Sequence, residues 1–182
     1  SPDNTIVEKN RQLTPWGFKS TPIKIDNVLY ISTSLGQVSA ISADQGKTLW
    51  NFDTETYQDG RPTNLGFNHR GVAYWTDGEG DERIVWGTGN GYLICVDAAT
   101  GHPCTGFGEQ GHVDLTQGLP RADRSKRDYL NAMLYSVQSP PIVIRDTIIH
   151  GSSIADRRVN KEAVPGWARA WDVRTGEHKW DF

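Results

Sequence analysis

The chain has 182 residues, 36% hydrophobic and 10% aromatic, with 19 Lys plus Arg against 22 Asp plus Glu and a formal net charge of −3. The apolar content and seven Trp exclude a disordered chain, and the lack of an apolar run of about 18 residues excludes a membrane-spanning helix. Without a basic excess or basic block, nucleic acid is not an expected partner.

The elements read as follows in chain order. Pro22-Ile23-Lys24-Ile25, a turn at Asp26-Asn27 and Val28-Leu29-Tyr30-Ile31 form a hairpin. Ala40 to Trp50 forms a second hairpin, turning at Gly46. Arg83-Ile84-Val85-Trp86, a Gly-Asn-Gly turn and Tyr92 to Val96 follow, and Cys95 to Cys104 turns at Gly101. Arg121 to Leu134 is the best helix candidate, although it is mostly charged. Pro141-Ile142-Val143-Ile144, a turn at Arg145-Asp146 and Thr147 to His150 make another hairpin, and Ala170 to Trp180 turns at Gly176. Short apolar runs bounded by turn residues, without clean helical periodicity, predict an all-β fold.

Three of these segments share one pattern. A small residue (Ala40, Cys95, Ala170) is followed by Gly six positions later (Gly46, Gly101, Gly176). Trp stands four after Gly in the first and third copies, as Trp50 and Trp180, both expected to be at least partly buried between sheets. The middle copy lacks it, and Phe107 is the candidate substitute. Gly supplies the positive φ that the tight turn needs. With the upstream hairpins, each unit has about four strands, the blade of a β-propeller. The units fall roughly at 15–55, 67–107 and 135–182.

The third unit is longer. Pro22 and Ala40 are 18 positions apart, whereas Pro141 and Ala170 are 29 apart, so 11 extra residues lie between Ser152-Ser153 and Trp167. Such insertions commonly build a binding face, the alternative being a neutral surface loop. Three blades cannot close a ring, and the chain lacks an initiator Met and stops inside an apparent strand. It therefore reads as a piece of a larger propeller, and the absence of a signal peptide says nothing of compartment. Cys95 and Cys104 flank their turn symmetrically. A cross-hairpin disulfide is feasible and would suit the periplasm, with two buried thiols as the alternative.

The Gly-then-Trp hairpin resembles the tryptophan-docking repeat of quinoprotein dehydrogenases, eight-bladed propellers that hold pyrroloquinoline quinone on the axis beside a divalent cation. The segments carrying the resemblance are Thr21-Pro22 to Tyr30, His69-Arg70-Gly71-Val72-Ala73-Tyr74-Trp75, Ser139-Pro140-Pro141-Ile142-Val143, Gly151-Ser152-Ser153-Ile154-Ala155-Asp156 and Pro165-Gly166-Trp167 to Asp172. Their order is similar to the glucose- and polyol-oxidising branch, over nearly the whole chain after about residue 14. The fold implied is a partial β-propeller of about three four-stranded antiparallel blades.

The resemblance implies specific roles. Arg70 would contact a carboxylate of the quinone, because a planar guanidinium pairs with a carboxylate through two hydrogen bonds. His69 would lie near the cofactor. Ser153 and the amides of Ile154 and Ala155 would bind another carboxylate, and Asp156 would ligate Ca²⁺ or Mg²⁺, hard cations that need oxygen ligands. Taken alone, Arg70 also reads as a surface residue at a strand start, His69 as a partly exposed histidine at a β edge, and Asp156 as a loop carboxylate making local turn bonds beside Arg157 or Arg158.

Two positions depart from the family. Gln138 replaces a Thr before Ser-Pro-Pro, and Lys19-Ser20 stands where the family has Glu or Gln. The family's catalytic Asp would fall in a later blade, so no residue of this chain is assigned as catalytic. Sugars or polyols as substrates, ubiquinone or a cytochrome as acceptor, the remainder of the propeller as partner and a periplasmic location follow as implications. Attachment to the inner membrane by a segment outside this chain is compatible with them. The competing reading is a non-enzymatic propeller scaffold that binds proteins, as outer-membrane assembly lipoproteins do. It accounts for the Trp hairpins but not for His69 to Tyr74 or Gly151 to Asp156.

Overall fold

Apolar runs of three to six residues punctuated by turns can bury themselves only as strands in small sheets. The computed structural model describes residues 1–62, 66–120, 135–154 and 164–182. It contains three four-stranded antiparallel sheets, each formed by strands in sequence order. The first comprises β1 (Ile23–Ile25), β2 (Val28–Ser32), β3 (Val38–Ser42) and β4 (Thr48–Phe52). The second comprises β5 (Ala73–Thr76), β6 (Glu82–Gly87), β7 (Tyr92–Asp97) and β8 (His112–Asp114).

Strand β9 (Tyr135–Ser136) precedes the third sheet, which opens with β10 (Ile142–Ile144) and β11 (Thr147–His150). The chain then leaves the sheet. Strand β12 (Ser153–Ile154) pairs with β9, Ser153 opposite Ser136 and Ile154 opposite Tyr135. The sheet resumes with β13 (Arg169–Asp172) and ends with β14 (His178–Asp181). The extra length of the third unit thus begins with a strand that leaves its own blade. The helix expected over Arg121 to Leu134 lies outside the described residues. A short helix instead occupies Pro2–Lys9, where none was expected, with Pro at its start. Tertiary contacts hold it: the buried Asp3 carboxylate accepts hydrogen bonds from Thr33 Oγ1 at 2.6 Å, Leu35 N at 3.1 Å and Gln37 Nε2 at 3.2 Å.

The pattern glycines Gly46, Gly101 and Gly176 have φ of 65°, 73° and 74°, the left-handed turn conformation expected of them. Their partner residues set the sheet-to-sheet packing. Trp50, opposite Ala40, extends from the first sheet to the second, where its Nε1 donates to Ala98 O at 2.9 Å. Its ring lies so close to Gly101 that a Cβ there would sit 2.6 Å from it. In the middle repeat the small-residue–Trp pair is replaced by the Cys95–Cys104 disulfide. Phe107, fully buried, and Val113 then cover Gly176 of the third sheet, and a Cβ on that glycine would meet Val113 Cγ2 at 2.6 Å and the Phe107 ring at 3.5 Å. Phe107 therefore shares the docking role with Val113. Trp180 departs from expectation: it pairs with Ala170 but is 41% exposed, because no further sheet packs on it among the described residues.

Two apolar clusters fill the spaces between sheets. One joins the first and second sheets through Tyr30, Val38, Ile84, Trp86 and Ile94. The other joins the second and third through Trp75, Leu93, Phe107, Ile148 and Trp171.

Candidate functional site

The segments just before the first strand of each sheet meet. Thr21 N donates to Arg70 O at 2.9 Å, and Arg70 N donates to Gln138 O at 2.9 Å, so equivalent positions of three successive sheets are joined in series by backbone hydrogen bonds. Gly71, with φ of 147°, allows the approach: a Cβ there would lie 3.0 Å from Thr21 O and 3.7 Å from Pro140. Strands β5 and β10 lie against each other beyond this junction. Lys19, Arg70 and Ser139 therefore share one end of the first strands, although 120 positions separate the outermost two.

Arg70 is exposed, and its Nη1 donates to Ser139 Oγ at 3.4 Å. The remaining guanidinium edge suits a carboxylate, which takes paired N–H donors. Lys19 is also exposed, on a segment held by the Ser20 Oγ–Ser32 Oγ contact at 2.9 Å. Gln138 is buried, and its Nε2 donates to Gly66 O at 3.2 Å.

His69 is 2% exposed and sits on the second sheet, Nε2 lying 2.8 Å from Gly87 O. A carbonyl only accepts, so Nε2 carries the proton and Nδ1 is a bare acceptor. Burial pushes its pKa down to about 4, against a smaller upward pull from the Gly87 bond, so the ring is neutral near pH 7. Val137 N donates to Thr88 O at 3.0 Å, and a Cβ on Gly87 would collide with Val137. The segment 136–138 is thereby pressed against the strand end that holds His69.

Ser153 and Ile154, half-buried on β12, are brought alongside Ser136 and Tyr135 by the β9 pairing. Five of the expected site residues, His69, Arg70, Gln138, Ser153 and Ile154, thus lie on two joined segments and their neighbouring strand. Ala155 and the expected metal ligand Asp156 lie outside the described residues. Among the described residues no group of three or more His, Cys, Asp or Glu side chains could hold a metal. No helix among them is long and apolar enough to cross a membrane.

The sequence reading missed Asn68 and Ser136, which are 4% and 0% exposed beside this layer. The only sequence signal is adjacency to His69 and to the Ser-Pro-Pro segment, because strand pairing rather than spacing brings them in. A groove of about 790 Å³ lies elsewhere, between β8 and β14, lined by His112, Trp171, His178 and Asp181 among others. Within it, Asp181 Oδ1 lies 2.7 Å from Arg169 Nε and 2.6 Å from His178 Nε2.

Comparison with known proteins supplies a family. Residues 3–182 match the model described as PQQ: glucose/ethanol/alcohol dehydrogenase, beta-propeller domain. The chain is 32% identical over 180 residues to quinoprotein glucose dehydrogenase of Gluconobacter oxydans (strain 621H), covering 90% of this chain and 21% of that protein. It is 32% identical over 200 residues to quinoprotein glucose dehydrogenase A of Acinetobacter calcoaceticus, covering 99% of this chain and 22% of that one. Among solved structures, quinohemoprotein alcohol dehydrogenase from Comamonas testosteroni superposes with a TM-score of 0.65 at 26% identity, covering 91% of this chain and 21% of that one. The chain thus spans about a fifth of the length of these relatives. With sheets built on docked Trp and Gly and a match over almost every residue, the chain belongs to the PQQ-dependent glucose/ethanol/alcohol dehydrogenase β-propeller family.

Proposed function

We propose that this chain is part of a periplasmic quinoprotein dehydrogenase that oxidises a sugar or polyol hydroxyl, and that it supplies one side of the pocket for pyrroloquinoline quinone. When bound, the quinone supplies the two-electron acceptor for hydride from the substrate carbon, with Ca²⁺ or Mg²⁺ as Lewis acid and ubiquinone or a cytochrome taking the electrons onward. The chain's own part is binding and orientation. Arg70 pairs with a carboxylate of the quinone, Lys19 adds a second positive charge at the same mouth, and Ser153 with the amides of Ile154 and Ala155 binds another carboxylate. Gln138 and neutral His69 flank the ring, and Asp156 contributes one oxygen to the cation.

The observation that carries this reading is the hydrogen-bonded junction of Thr21, Arg70 and Gln138. It links the segments of two exposed cations, Lys19 and Arg70, at one end of three sheets, donors that fit a planar, multiply charged anion, with neutral His69 buried beside them. The preference for a sugar rests on the glucose dehydrogenases to which the chain is similar.

The test is titration of the full-length protein with pyrroloquinoline quinone and Ca²⁺, followed by a dye-linked assay with sugars and polyols. Arg70→Ala should weaken cofactor binding by about 1.5–3 kcal/mol, the range for a charged hydrogen bond. Cofactor binding unchanged in that variant would remove this side of the pocket from the reading. No binding by the wild type would return the chain to the protein-binding scaffold.

A further inference from the structure

Buried polar atoms without partners are uncommon in folded proteins, and each calls for a cause. Among the described residues they fall on Asn68, His69, Trp86, Tyr135 and Ser136. These belong to three segments packed around Gly87, linked by the His69 Nε2–Gly87 O contact at 2.8 Å and the Val137 N–Thr88 O bond at 3.0 Å. Trp86 belongs to the apolar cluster between the first two sheets, and Tyr135 lies near the Arg169 guanidinium in the cluster between the second and third. The other three differ. Asn68 has neither its amide nor its carbonyl engaged, His69 has a bare Nδ1 and Ser136 has a free hydroxyl, all in residues at most 4% exposed. They flank the charged mouth at Arg70: Asn68 and His69 immediately precede it, and Ser136 lies two residues before Gln138, whose carbonyl accepts from Arg70 N.

We propose that Asn68, with His69 Nδ1 and Ser136, forms an uncharged hydrogen-bonding floor beneath the Arg70 mouth that binds the neutral polar edge of the quinone. This inference rests on the reading given under Proposed function and adds a division of labour. Arg70 and Lys19 take the carboxylates. The floor takes the ring N–H and carbonyl groups, with Asn68 able both to donate and to accept, and Ser136 likewise. Nδ1 of His69 can only accept, because Gly87 O fixes the proton on Nε2. The groups keep their desolvation penalty in the ligand-free protein, as binding sites commonly do at some expense of stability.

That arrangement makes two effects of one substitution run in opposite directions. Asn68→Leu keeps the branched outline of the Asn side chain and removes two unsatisfied polar atoms. In the full-length protein without cofactor it should leave the melting temperature unchanged or raise it. In the same protein, pyrroloquinoline quinone binding, followed by calorimetry and by quenching of Trp fluorescence, should weaken by about tenfold or more, the loss of one buried hydrogen bond. Ser136→Ala should do the same to a smaller degree, and Asn68→Gln should restore part of the affinity. Asn68→Leu binding the cofactor like wild type while Arg70→Ala binds it poorly would overturn the floor and leave the function intact. A lowered melting temperature with unchanged affinity would assign Asn68 to a buried water only, and would overturn the floor as well. Failure of the wild type to bind the quinone at all would overturn both.

Discussion

Protonating His69 or His150 would place a charge where burial leaves no water to solvate it, and this couples two single residues to the pH range of the whole fold. Burial is the main cause in both, and each pKa is pushed down to about 4. His150 donates through Nδ1 to Gly151 O at 3.1 Å and accepts at Nε2 from Trp171 Nε1 at 2.9 Å, so it too is held as one neutral tautomer. The nearby Arg169 opposes its protonation further, and Asp181 partly offsets that. Both folded values lie below the ordinary 6.5, so the unfolded chain takes up protons first as pH falls. The stability owed to the neutral rings is therefore complete above about pH 7 and is lost progressively from pH 6.5 toward 4, on the order of 3 kcal/mol per histidine at most. Urea unfolding midpoints should fall between pH 7.5 and 5, a window above the range where the lowered carboxylates Asp77, Asp172 and Asp181 titrate. His69→Gln should flatten that dependence. A midpoint constant across the window would show that neither ring is held neutral by the fold.

The hairpin turning at a glycine is the element that repeats, and its three copies do different work. Gly46 and Gly101 have the same left-handed backbone, φ of 65° and 73°. A side chain at Gly46 would meet no atom within 4 Å, whereas one at Gly101 would lie 2.6 Å from the Trp50 ring. Gly46→Ala should therefore cost only the backbone strain, about 1 kcal/mol. Gly101→Ala should cost that and the displacement of Trp50 with its bond to Ala98, about 2–4 kcal/mol in all. Chemical denaturation of the pair measures the difference; equal losses would mean that Trp50 does not need the bare glycine. This contrast was readable from sequence only in part. The turn chemistry is local, so the spacing of Gly46, Gly101 and Gly176 sufficed to predict three hairpins, and the placement of Cys95 and Cys104 sufficed to make their bridge feasible. What each glycine touches is decided by the next sheet, about 50 residues along, and no periodicity encodes it. For the same reason the helix at Pro2–Lys9 was missed: its anchor is Asp3 on the turn near Thr33, a contact between distant segments.

Across the whole molecule, the second and third sheets are fastened by two arginines that point in opposite directions. Arg83, on the second sheet, donates from Nη1 to Val173 O and Arg174 O of the third, both at 2.9 Å, while Asp81 holds its other edge at 2.7 Å. Arg169, on the third, donates to Leu115 O at 2.6 Å and Gln117 O at 3.1 Å after the last strand of the second, while Asp181 holds its Nε at 2.7 Å. Nothing in the sequence singles out either arginine, and only the family motif around them marks Arg70 and His69 as candidates. Each buried guanidinium satisfies carbonyls that no strand ladder reaches, so removing one leaves acceptors and a carboxylate without their partner. Arg169→Ala should destabilise by about 3–5 kcal/mol, the loss expected for breaking a buried charge pair. Arg83→Ala should cost somewhat less, its carboxylate partner Asp81 being more exposed than Asp181 (34% against 26%). The two arginines span one boundary, so the sheets should separate in the first variant and the second should then add little. The double variant is expected to fall short of the sum of the singles by more than 0.5 kcal/mol, the coupling typical of groups sharing one interface. Strict additivity in unfolding free energy, with amide exchange of β7 and β13 unchanged in either single variant, would mean that the apolar cluster between the sheets fastens them without the arginines.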